Sequence, residues 1–142
     1  MAKVLVVDDD PAVQIMIKLV LERAGHAVVV AGDGRKGLAE FENETFDLLL
    51  LDIFMPGMDG LETMRMVRQA RPALPIIVIS GRPPTEEARL EPDFLLMATK
   101  LGATYSLPKP FLPAALLSMV ARCLASETQG SPAPDRNVAT GR

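Results

Sequence analysis

Residues 46–60 read FDLLLLDIFMPGMDG, and the order of residue types in this stretch decides the fold. Phe46 to Leu51 reads as a strand that is apolar on both faces. Successive side chains on a strand point to opposite sides, so a strand without polar alternation must be covered on both, as in a parallel sheet between two layers of helices. The run stops at Asp52, a carboxylate at a strand end. Met55 to Gly60, with its proline and two glycines, reads as a loop, and Leu61 to Gln69 as the helix that follows.

The same alternation extends in both directions. Towards the C-terminus, Ile76 to Ile79 is a fourth strand and Phe94 to Leu101 a helix closed by Gly102. Ala103 to Leu107 is a fifth strand and Leu112 to Leu124 the last helix. Towards the N-terminus, Arg35 to Glu42 is a short helix, and Ala27 to Ala31 a strand closed by Gly32-Asp33-Gly34. Before it lies a helix whose Val13, Ile17, Val20 and Ala24 recur at helical spacing. Asp10-Pro11 opens that helix as an N-cap with proline at the first position, and Gly25 supplies its stop. Lys3 to Val7 is the first strand. Five strands alternating with five helices imply an α/β domain with a doubly wound parallel sheet over residues 1–125. Residues 126–142, SETQGSPAPDRNVATGR, have almost nothing to bury and read as a disordered tail or linker.

Bulk properties narrow the function. Of 142 residues, 49% are hydrophobic and 23% charged, as in an ordinary globular domain. A net charge of −3 is too mild to argue for direct nucleic-acid contact or an anionic membrane. A single cysteine, Cys123, forms no internal disulfide or cysteine metal cluster and reads as a small apolar residue in a reducing cytoplasm. Apolar runs such as Leu48–Leu51 fall far short of the ~18 residues of a membrane span, and the N-terminus lacks the pattern of a secretory signal. His26, in a turn, is expected to be exposed.

In a doubly wound sheet, ligands bind beyond the carboxyl ends of the strands. Asp8 and Asp9 follow the first strand, Asp52 ends the third, Ser80 the fourth, and Lys109 follows the fifth. Three clustered carboxylates repel one another and call for a cation. Oxygen-only ligands suit a hard ion such as Mg²⁺, which takes one or two carboxylates, waters and phosphate oxygens. A carboxylate can act as nucleophile on phosphorus, and a lysine and a hydroxyl can hold the phosphoryl oxygens. Asp10 is expected only to cap its helix.

With VLVVDDD at 4–10, LLLLDIFMPGMDG at 48–60, PIIVISG at 75–81 and GATYSLPKPF at 102–111, residues 3–125 resemble the response-regulator receiver (CheY-like) family of two-component systems. The resemblance implies a flavodoxin-like strand order of 2-1-3-4-5. It makes Asp52 the phosphoacceptor, supplied by a sensor histidine kinase or a histidine phosphotransfer protein. Asp9, Asp52 and the backbone carbonyl of Phe54 become direct Mg²⁺ ligands, and Asp8 acts through a metal-bound water. Ser80 becomes the switch hydroxyl, Lys109 the partner of the phosphoryl oxygens, and the Lys109-Pro110 bond is expected to be cis. Bulky Phe54 and Arg82 stand where the family governs dephosphorylation, which implies a long-lived phosphate.

The chain departs from the family where an aromatic switch residue is usual. Ser106 stands there, and Tyr105, one residue earlier, should face the other way. The stretch Ser80 to Gly102 is longer than the family usually has, the excess being Arg82 to Pro92, and no DNA-binding or catalytic output domain is expected from the residues that follow the receiver. On the last helix, Ala114, Leu117, Val120, Ala121 and Leu124 form a stripe suited to the sheet. Leu112, Leu116, Met119 and Cys123 form a second stripe, which together with the apolar run Phe94 to Met97 suits a downstream protein or a second copy. That output surface comprises helix 4, strand 5 and helix 5 of the expected order. Ile15 and Leu19 lie off the main stripe of the first helix, where the family docks its kinase. The competing enzyme class is a phosphatase of the haloacid dehalogenase type with Asp8 as nucleophile, but Ala12 stands where that motif wants Thr or Val.

Overall fold

The computed structural model describes residues 1–53, 60–80 and 102–130. In chain order these form β1 (Lys3–Val7), α1 (Pro11–Arg23), β2 (Ala27–Ala31), α2 (Gly34–Asn43), β3 (Leu48–Asp52), α3 (Gly60–Ala70), β4 (Ile76–Ser80), β5 (Tyr105–Pro108) and α4 (Pro113–Gly130). The five strands make one sheet of order β2-β1-β3-β4-β5, and every neighbouring pair is parallel. The helix expected at Phe94–Leu101 and the Arg82–Pro92 segment lie outside the described residues.

The strands bury both faces, in strict alternation. Leu5, Val7, Leu49, Leu51, Ile76 and Val78 point into one cluster, completed by Met64 and Val67 of α3. Val4, Val6, Leu48, Leu50, Ile77 and Ile79 point into the other, completed by Ile17 and Leu21 of α1 and by Leu116, Val120 and Cys123 of α4. Each fully buried aliphatic side chain is worth ~1.5–3 kcal/mol over leaving it in water. A one-residue slip of any strand would exchange its two buried faces and break the packing with both helix layers.

Local signals place the helix ends. Asp10 caps α1, its side chain accepting from the Ala12 N–H, with Pro11 in the first turn. Gly25 takes φ +95°, and the His26 N–H donates back to the Leu21 carbonyl across it, which stops the helix. Asp33 caps α2 by accepting from the Lys36 N–H.

The strand boundaries shift by a residue or two, each for a local reason. Phe46 is buried but precedes the ladder of β3. There the Asp47 side chain accepts from the Lys3 N–H while its own N–H donates to the Lys3 carbonyl. Before β5, the Thr104 hydroxyl accepts from the Ile76 N–H, so regular pairing begins at Tyr105. Arg68 of α3 ties the turn before β4 to the residue before β5's approach, donating to the Leu74 carbonyl at 2.6 Å and to the Gly102 carbonyl.

Four sequence expectations change. On α4 the sheet takes Val120 of the first stripe together with Leu116 and Cys123 of the second, while Leu117, Ala114 and Ala121 of the first and Leu112 of the second are exposed. The buried face thus falls between the two stripes, where the helix seats against Leu107 of β5 and Ile17 and Leu21 of α1. On α1 the deepest residues are Ile17 and Leu21, with Val13 and Val20 at the rim and Ala24 exposed. His26 is half-buried: its Nδ1 accepts a hydrogen bond from the Ala2 N–H at 3.1 Å. The last helix also runs on to Gly130, so the change in composition at residue 126 falls inside it.

Candidate functional site

The parallel sheet delivers the ends of β1, β3, β4 and β5 to one edge, and the site is built there. The first two residues past β1 are Asp8 and Asp9, β3 ends on Asp52, and Lys109 follows β5. Ser80 closes β4, with its backbone in register with Pro108. The Ser80 side chain and Phe54, with its carbonyl, lie outside the described residues.

Asp8 and Asp52 are buried, at 0% and 2% exposure, and Asp9 is exposed. One carboxylate oxygen from each of the three lies within 4.8 Å of the others. The Lys109 ammonium reaches across from the β5 side, 2.9 Å from Asp8 Oδ2 and 3.3 Å from Asp52 Oδ2, donating a hydrogen bond to the latter. The Lys109-Pro110 peptide bond is cis, as the sequence led one to expect.

The electrostatic balance of this group is unfavourable as it stands. Among the described residues, one ammonium faces three carboxylates. Burial by itself lowers the Lys109 pKa, but the Asp8 and Asp52 carboxylates together outweigh it and hold the ammonium above its usual range. Asp8 Oδ1 is taken by the Asp10 N–H at 2.9 Å. Asp8 Oδ2 is buried with the Lys109 ammonium, 2.9 Å away, as its ion-pair partner. Buried carboxylates are costly unless their charge is matched, and this ammonium is shared between Asp8 and Asp52. The donor set is oxygen only, which fits a hard divalent cation such as Mg²⁺ and not a thiolate- or imidazole-bound metal.

One contributor is seen only in three dimensions. Gly60, the first residue of α3, packs directly on the end of β3. A Cβ built there would lie 2.4 Å from the Asp52 carbonyl oxygen and 2.4 Å from Ile53 Cα. Its sequence signal was a glycine at the end of a loop, which reads as a turn and not as a close approach to the site. On β5, Tyr105 and Leu107 pack on the α1 and α4 side. Ser106 therefore faces the other way, as alternation required.

Comparison with known proteins agrees with this geometry. A family model described as the response regulator receiver domain matches residues 4–121. The alkaline phosphatase synthesis transcriptional regulatory protein PhoP of Bacillus subtilis (strain 168) is 34% identical over 111 residues, 78% of this chain and 43% of that protein. The chain spans about half the length of the curated relatives it matches. Among solved structures, the Vibrio cholerae chemotaxis protein CheY4 superposes with a TM-score of 0.75 at 35% identity, covering 87% of this chain and 99% of that one. The CheY-like receiver domain protein of Methanospirillum hungatei JF-1 gives 0.79 at 31% identity, covering 90% and 97%. With its strand order, its edge of three aspartates and one lysine, and these matches, the chain belongs to the response-regulator receiver family.

Proposed function

We propose that the chain is a signalling switch that accepts a phosphoryl group on Asp52 and is reset by hydrolysis of the aspartyl phosphate. The observation that carries this reading is the placement of Asp52, buried at a strand end and shared between the Lys109 ammonium and the carboxylates of Asp8 and Asp9. An Asp52 carboxylate oxygen attacks phosphorus. The bond from phosphorus to the donor's nitrogen or oxygen breaks, and the leaving group departs with the electron pair and takes up a proton. Lys109, already charged, offsets negative charge on the phosphoryl oxygens. Asp8 and Asp9, with Asp52 and the Phe54 carbonyl, would hold Mg²⁺, which supplies further charge neutralisation when bound. The Ser80 hydroxyl is the proposed switch contact to the phosphoryl group.

The proposed donor is a sensor histidine kinase or histidine phosphotransfer protein, docking on α1 through Ile15 and Leu19, which are 68% and 48% exposed. An output surface at α4 would use Leu112, just before the helix, and Leu117 on it, at 73% and 36% exposure, because Leu116 is buried in the core. Among the described residues no helix is long and apolar enough to cross a membrane, and action in the cytoplasm is part of the proposal. Because α4 runs on to Gly130, the boundary expected at residue 125 is proposed to lie at the end of that helix, with residues 131–142 a tail or linker. Nothing favours the phosphatase alternative: both Asp8 oxygens face protein groups, one the Asp10 N–H and the other Lys109.

Intact-mass measurement after treatment with a small acyl phosphate and Mg²⁺ tests the assignment. Wild type should gain one phosphoryl group, and Asp52→Asn none. Labelling that persists in Asp52→Asn, or that moves to Asp8, would sink it. With a phosphorylated kinase as donor, Ile15→Asp should slow transfer while acyl phosphate labelling stays unchanged. Equal slowing with both donors would remove α1 as the docking face.

A further inference from the structure

Asp9 is the exposed acid of the cluster. Its place at the site is therefore set by the backbone of the turn between β1 and α1, not by packing around its side chain. Three backbone N–H groups hold that turn. Asp8 donates to the Ala31 carbonyl at 3.1 Å, Asp10 to Asp8 Oδ1 at 2.9 Å, and Gln14 to the Asp10 carbonyl at 3.0 Å. A side chain adds a fourth contact. The Gln14 amide turns back along α1 and donates to the Asp8 carbonyl.

That carbonyl belongs to the peptide plane joining Asp8 to Asp9. Fixing it on one side of Asp9, with the Asp10 N–H held by Asp8 Oδ1 on the other, narrows the directions in which the Asp9 Cα–Cβ bond can leave the chain. The Gln14 side chain is half-buried beside Gly32, just past β2, where a built Cβ would lie 3.8 Å from Nε2. From the first turn of the site's own helix, the amide thus binds the end of β1 and lies close to the end of β2. Its function is not catalytic in the strict sense, since it reaches the acids only through the backbone.

We infer that Gln14 is a positioning residue for the divalent-cation site, holding the Asp8–Asp9 peptide so that Asp9 faces Asp8 and Asp52. The inference rests on the reading of those three carboxylates as a cation site. Groups that orient metal ligands from behind typically change metal affinity by about 10–100-fold when removed. Loss of the Gln14 donor should then weaken the cation while leaving the transfer step near normal once the metal is saturating, a split between affinity and rate.

The test is Mn²⁺ binding to the full chain, read from the free-ion electron paramagnetic resonance signal, for wild type, Gln14→Met, Gln14→Glu and Asp9→Asn. Gln14→Met removes the donor at nearly constant size. Gln14→Glu removes it and adds a negative charge, which by attraction alone would tighten the cation. The expected result is binding weaker by about tenfold in both Gln14 variants, with acyl phosphate transfer at saturating Mg²⁺ within about twofold of wild type. Wild-type affinity in Gln14→Met, or tighter binding in Gln14→Glu, overturns the inference while leaving the cation site intact, provided Asp9→Asn has lost affinity. Absence of Mn²⁺ binding by wild type overturns the cation-site reading and the inference together. Circular dichroism without metal checks folding, and Gln14→Glu carries the comparison if Gln14→Met is unfolded.

Discussion

Gly60 and His26 show how single residues carry consequences that their neighbours in sequence do not announce. A methyl group on Gly60 would meet the Asp52 carbonyl oxygen and Ile53 Cα, both backbone atoms that cannot rotate aside. Either α3 or the end of β3 must move. Gly60→Ala should cost about 1–3 kcal/mol, as overpacking does, and should also slow acyl phosphate labelling, because the strand end that moves carries Asp52. Urea unfolding within about 0.5 kcal/mol of wild type would show that the contact relaxes without strain. His26 has its pKa lowered, first by burial and then by the positive amino terminus. A histidine held below its unfolded value is stabilising while neutral, and that contribution is lost as pH falls below about 6.5 and the unfolded state binds the extra proton. Protonation also removes the acceptor that Nδ1 offers to the Ala2 N–H. Between pH 7.5 and 5.5, wild type should therefore lose more stability than His26→Gln. Equal losses in the two proteins would remove His26 from the acid response.

At the scale of elements, α4 gives the sharpest test. Leu116 is fully buried against the sheet, whereas its neighbour Leu117 is 36% exposed. Leu116→Ala should destabilise by about 2–5 kcal/mol, through lost burial and a residual cavity, and Leu117→Ala by less than about 1 kcal/mol. Reversed magnitudes in chemical denaturation would mean that the helix seats a different face. Both stripes were legible in the sequence. Which of their residues face the core was not, because helical periodicity gives the spacing of a face and not its azimuth about the axis, and the buried face took Val120 from one stripe and Leu116 and Cys123 from the other. The contrast with the strands is instructive. In β3, Leu48 to Leu51 are all buried, so either azimuth gives the same reading and no choice had to be made.

For the whole molecule, the crowd of acids at the sheet edge sets stability against function. Among the described residues, one lysine opposes three carboxylates, two of them buried. Without metal, Asp9→Asn should raise stability by roughly 1 kcal/mol, since it removes one like charge from the cluster. With Mg²⁺, the order should narrow or reverse. A ligand that binds only the folded state stabilises it by about 1.4 kcal/mol at ten times its Kd, and Asp9→Asn forfeits most of that gain. Urea midpoints with EDTA and with Mg²⁺, for both proteins, check this. A wild type insensitive to Mg²⁺ would count against the cation site. Lys109 should not contribute a pH dependence in the neutral range. Its pKa is raised, so its contribution is fully present below the unfolded value and is lost only as pH climbs through the folded one, above the usual lysine range.

The sequence by itself determined the alternation of strands and helices and the cap at Asp10. It also placed Asp8, Asp9, Asp52 and Lys109 at strand ends. These are local matters: a buried parallel strand needs apolar residues on both faces, a helix needs its first N–H groups satisfied, and a strand end is where the polar residue interrupts the run. Tertiary structure alone decided the rest. It set the 2.9 Å and 3.3 Å approaches of Lys109 to Asp8 and Asp52, the pressure of Gly60 on Asp52, the reach of Gln14 to the Asp8 carbonyl and the choice of buried face on α4. The physical reason is common to all four. Each depends on where one element stands relative to another, which follows from filling both cores at once and has no counterpart in the spacing of residues along a single element.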